Sequence, residues 1–124
     1  MLALTFAVIF TALSLQSAFA QVPSTVPLCE ITRNLQVGLV GQDVHCLQRY
    51  LNWSGYRIAE SGPGSLGQET MYYGSLTRAA VVRWQEANAT NILVPLGLTQ
   101  GTGFWGPASF ARYVAIVKAF LGVA

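Results

Sequence analysis

Tyr72-Tyr73-Gly74-Ser75-Leu76-Thr77-Arg78-Ala79-Ala80-Val81-Val82 returns as Phe104-Trp105-Gly106-Pro107-Ala108-Ser109-Phe110-Ala111-Arg112-Tyr113-Val114, at an offset of 32 residues. Each copy reads aromatic, aromatic, Gly, helix start, hydroxyl, Ala, Val. Each follows a Gly-containing loop. An aromatic pair that packs a tight Gly turn and opens a helix is therefore used twice. Two copies are too few for a solenoid, so a single compact domain is expected.

The helices follow outward from these turns. Ser75 to Asn88 has Ser75 as its expected N-cap and a buried stripe of Leu76, Ala80, Val81 and Trp84. Pro107 to Phe120 starts on a proline, which suits the first helical position because its missing donor is unpaired there anyway. Upstream, Asp43 to Trp53 repeats Val44, Leu47 and Leu51 at helical spacing, with an acidic first turn and Gly55 as its stop. The stretches Ser61–Met71 and Asn91–Gly103 read as loops. The expected class is all-α: a compact three-helix bundle with Gly-rich connecting loops, behind a signal peptide.

Composition separates the first twenty residues from the rest. Residues 1–20 carry none of the twelve Asp, Glu, Lys and Arg side chains, and they end Ala18-Phe19-Ala20. A short apolar run closed by A-x-A predicts a secretory signal cleaved after Ala20, with an uncleaved anchor as the alternative. Residues 21–30, with two prolines and no periodicity, read as an extended linker. The segment 31–117 reads as the domain, and 118–124 as an apolar tail. Export favours a Cys29–Cys46 disulfide; two free buried thiols are the other reading. The part after the signal is about 12% charged against a typical value of roughly 25%. That argues against a nucleic-acid binder, whose footprint is a dense basic stripe.

Catalytic inventories fall short. His45 is the single histidine, and its neighbour Cys46 does not share its helix face. Two Cys and one His do not make a zinc set, and no metal or cofactor is expected. Glu30, Asp43, Glu60, Glu69 and Glu86 sit in no recognisable glycosidase arrangement. No enzyme activity is expected.

The ordered set Gly38-x-x-Gly41-x-Asp43-Val44-x-x-Leu47-Gln48-x-x-Leu51, Gly55, then Tyr73-Gly74-x-x-Thr77-x-Ala79-Ala80-Val81-x-x-Trp84-Gln85, resembles the peptidoglycan-binding-like domain family. Phe104-Trp105-Gly106-Pro107 resembles its final Gly-turn-helix segment. The resemblance spans about Ile31 to Val117; Trp84 stands where the family more often has Phe, and both long loops depart from its pattern. It implies a small three-helix fold and non-catalytic attachment to the bacterial cell wall, secreted, periplasmic or wall-associated. The expected partner is peptidoglycan, through its glycan or its stem peptide. No nucleic acid is expected, nor a stable membrane span once the signal is cleaved. Gln48 and Gln85 match the family motif and are expected to bond backbone locally. Aromatic faces and Arg forks suit sugars, amides and carboxylates, so Tyr72, Tyr73, Arg78, Trp105 and Arg112 are the candidate ligand-binding residues. The apolar tail from Val114 motivates an alternative, docking on another envelope protein.

Overall fold

In the computed structural model, residues 25–123 are described. The expected signal, 1–20, and the start of the expected linker lie outside them. Four α-helices follow in order: α1 Gln42–Trp53, α2 Ser75–Ala87, α3 Ala89–Ile92 and α4 Pro107–Leu121, with a 3-10 turn at Val94–Leu96. The all-α class holds, and the three long helices stand where periodicity put them. α3 and the 3-10 turn lie where a loop was expected from Asn91. One helical turn is too short to display a repeating stripe, but it delivers Ile92 and Leu93 into the core.

α1 starts beside an ion pair. Arg33 Nε donates to Asp43 Oδ2 at 2.8 Å, and Asp43 Oδ1 accepts from the Val44 N–H at 2.9 Å. The Arg33 guanidinium holds the Asp43 carboxyl below its usual range. α2 departs from expectation at its start. Gly74, not Ser75, is the N-cap, and no side chain caps it. Leu76 is 56% exposed, so the buried face of α2 runs instead through Thr77, Ala80, Val81, Trp84 and Gln85.

The core is an aromatic cluster. Tyr50 on α1 meets Trp84 on α2 edge-on at 5.9 Å and Tyr113 on α4 at 4.7 Å. Trp84 stacks at a tilt on Trp105 at 4.8 Å and donates its Nε1–H to the Tyr50 hydroxyl at 3.2 Å. The helically spaced Val44, Leu47 and Leu51 of α1 are buried, as are Ala80, Val81 and Trp84 of the expected α2 stripe.

The segment before α1 ties the two repeats together. Antiparallel bridges join Leu35 to Trp105 and Val40 to Tyr72. The end of the expected linker is a packed strap. Val26 and Pro27 are buried, the Tyr113 hydroxyl donates to the Pro27 carbonyl at 2.7 Å, and it accepts from the Cys29 N–H at 2.7 Å. A Cys29–Cys46 disulfide fixes the strap to α1, with Cα atoms 5.5 Å apart. Closing a loop of that length is worth about 3 kcal/mol by the chain-entropy argument. At the other end, α4 runs through Lys118 to Leu121, so the expected boundary between domain and tail falls inside a helix.

Buried phenols make the fold sensitive to alkali. Burial pushes the Tyr50 hydroxyl up to about 12, and it pushes Tyr73 and Tyr113 upward as well. A raised folded pKa means that the native state holds the proton more tightly than the unfolded chain. The associated stability is full below pH 10 and is lost as pH climbs through 12. Tyr50 alone accounts for about 2 kcal/mol by pH 12. Urea midpoints measured from pH 8 to 12 check this: a flat profile to pH 10 and a steep fall above it are expected.

Candidate functional site

The repeat is a hydrogen-bonded device, and a glutamine from the preceding helix holds each copy. Gln48 of α1 reaches the first loop. Its Nε2 donates to the Tyr72 carbonyl and to Thr77 Oγ1, both at 2.9 Å, and its Oε1 accepts from the Thr70 N–H at 2.7 Å. Gln85 of α2 repeats this on the second loop. Its Nε2 donates to the Phe104 carbonyl at 2.8 Å and to Ser109 Oγ at 3.1 Å, and its Oε1 accepts from the Thr102 N–H at 2.8 Å. Thr70, Tyr72 and Thr77 each meet their counterpart 32 residues on. The expectation that these glutamines bond locally is therefore corrected. Both side chains are buried, and they cross to the following loop, where backbone and hydroxyl partners satisfy their amides.

Within each aromatic pair the two rings part. Tyr73 and Trp105 are buried at 0% and 1% exposure, while Tyr72 and Phe104 stay at the surface. The outer ring lies over the glycine. A Cβ on Gly74 would stand 3.1 Å from the Tyr72 ring, and one on Gly106 would stand 2.7 Å from that of Phe104. Both glycines have ordinary extended backbone. They are needed for space under a ring, not for a left-handed turn.

The five candidate residues do not converge. Tyr72, 54% exposed, lines a cleft of about 350 Å³ together with Gln48, Ile58, Thr70, Ser75 and Leu76. Tyr73 and Trp105 belong to the core and have no face to offer a ligand; the Tyr73 hydroxyl donates to the Gly103 carbonyl at 2.6 Å. Arg78 lies along Gly103 and donates to the Thr102 carbonyl at 3.4 Å. Arg112 donates from Nε to Asn88 Oδ1 at 2.9 Å. Ile58, Thr70 and Leu76 line this cleft and were not among the residues expected from the sequence. Thr70 was the findable one, since Thr102 stands at the repeat offset from it.

The second repeat builds a corresponding cleft of about 230 Å³. It is lined by Gln85, Thr102, Phe104, Pro107 and Ala108, and walled by aliphatic side chains such as Leu96. Of the two clefts, the Tyr72 cleft lies wholly in the stretch from α1 to the start of α2, where the motif set is densest. Residues 40–91 match the family described as “Putative peptidoglycan binding domain”. The resemblance read from the ordered motifs is thereby shown for that span, which takes in α1, the first repeat and α2. The peptidoglycan-binding match ends before the second repeat. No curated protein and no solved structure matches the chain. Among the described residues no three His, Cys, Asp or Glu side chains gather where they could hold a metal ion, and no helix is long and apolar enough to cross a membrane.

Proposed function

We propose that this chain is an exported, non-catalytic module that binds cell-wall peptidoglycan at the Tyr72 cleft. The observation that carries this reading is the position of that cleft inside the peptidoglycan-binding match. Three of the side chains that hydrolysis could draw on are otherwise engaged. Cys46 is bridged to Cys29 and supplies no thiolate. Asp43 is paired with Arg33, and Glu69 Oε2 accepts from Asn52 Nδ2 at 3.0 Å and from the Gly67 N–H at 2.8 Å. Arg78 and Arg112, expected to grip ligand carboxylates, act in this reading as ties between α2, α4 and the second loop.

Docking on another envelope protein is the second reading. In its favour, Phe120, Leu121 and Val123 are exposed at the end of α4. Co-sedimentation with purified wall sacculi separates the two. The folded protein is expected to pellet with sacculi in a saturable manner and to release no dye from labelled wall. Protein that stays in the supernatant at every concentration overturns the wall reading.

A further inference from the structure

We infer that the Tyr72 cleft takes the neutral glycan of the wall, its N-acetylated hexosamine units, and not the carboxylate-bearing stem peptide. This rests on the wall reading above and narrows it to one chemical class.

None of the side chains lining the cleft is ionisable except the Tyr72 phenol. Several charges near the cleft in sequence are turned to other work. Glu69, between Gln68 and Thr70, has its carboxylate on Asn52 and Gly67. Arg78, one turn into α2, leans on the second loop. Arg83 donates to the Arg57 carbonyl at 2.7 Å, and Arg33 is paired with Asp43. A free carboxylate entering here would lose water and meet no cation among the lining side chains, which is costly. A sugar carrying hydroxyls and an N-acetyl group meets no such penalty.

The Tyr72 ring and Leu76 are both more than half exposed and stand on one cleft, with Ser75 exposed between glycine and leucine. An aromatic face with a polar tip, an aliphatic neighbour and a hydroxyl suit the apolar face and polar edge of a pyranose ring. The floor is closed to the ligand, because Gln48 spends its amide on Thr70, Tyr72 and Thr77. Recognition therefore falls to the rim.

The second cleft has the same frame, yet Phe104 replaces Tyr72, Pro107 replaces Ser75 and Ala108 replaces Leu76. The phenol and the hydroxyl that would contact a sugar are both gone. The second cleft is thus the same architecture without the sugar-contacting groups.

The test combines titration of the full folded chain with the hexamer of N-acetylglucosamine and competition of sacculus binding by that hexamer or by free stem tetrapeptide. The hexamer is expected to bind directly and to release the protein from sacculi, and the tetrapeptide is expected to do neither. Binding should change less than about twofold between low and high salt, since no ion pair is formed. Tyr72→Ala should weaken binding about tenfold, as loss of one aromatic contact does. Leu76→Ala at the exposed rim should weaken it several-fold, and Phe104→Ala should leave it unchanged, each variant being first shown to unfold cooperatively. A chain that pellets but is displaced only by the tetrapeptide, or whose binding collapses with salt, overturns this inference alone. A chain that neither pellets nor binds the hexamer overturns the wall reading with it.

Discussion

Gln85→Ala is expected to destabilise the fold by about 4 kcal/mol, read as a lower urea midpoint at unchanged slope. The size follows from what alanine strands. The N–H groups of Thr102 and Gly103 both point at Gln85 Oε1, at 2.8 and 3.0 Å, and the Phe104 carbonyl and Ser109 hydroxyl both face its Nε2. Each buried group left unpaired costs about 1–3 kcal/mol, and the side-chain volume is lost as well. Thr102 is exposed and can regain water, which keeps the sum below the arithmetic maximum. Gln48→Ala strands one N–H in place of two, beside the Tyr72 carbonyl and the Thr77 hydroxyl, so its cost should be smaller, about 3 kcal/mol. It should also loosen the Tyr72 cleft, whose floor it forms. A Gln85→Ala variant within 1 kcal/mol of the parent would mean that the second loop finds other partners.

This pair of glutamines shows what could be read in advance and what could not. The three long helices follow from apolar spacing, which is local and survives in one dimension. The repeat was visible too, as a run of residue types. Its physical content was not. Gln48 and Thr70 are 22 residues apart, and Gln85 and Thr102 are 17 apart. A side chain that crosses between elements leaves no periodic trace. The two rings of each pair look equivalent on paper. Both loops pair with residues 35–40 across long sequence separations, and nothing in the order of the two rings displays that Tyr73 and Trp105 enter the core while Tyr72 stays at the surface. The strap at Val26 and Pro27 was hidden in the same way: two prolines and no periodicity resemble a linker until Tyr113 and the disulfide are in place.

Trp105→Ala should cost about 4 kcal/mol, the usual range for emptying a large buried aromatic site. Trp105 packs on Trp84 at 4.8 Å and on Tyr113 at 6.2 Å, and its backbone pairs with Leu35 on both sides. The informative contrast is Trp105→Phe. Among the described residues, the Trp105 Nε1 is buried with no hydrogen-bond partner. Phenylalanine removes that unpaired donor, which is worth roughly 1–3 kcal/mol, while it leaves a smaller void than alanine does. The two effects oppose, so Trp105→Phe is expected to lie within about 1 kcal/mol of the parent. Trp84→Phe makes the same change in volume but breaks the Nε1–H bond to the Tyr50 hydroxyl. It should cost about 2 kcal/mol, because it leaves a buried phenol oxygen without its donor. The expected order of urea midpoints, from lowest to highest, is Trp105→Ala, Trp84→Phe, Trp105→Phe. If the two Phe variants exchanged places, the Trp105 indole would have to be hydrogen-bonded, and the stability of the second repeat would rest on a polar contact and not on ring packing.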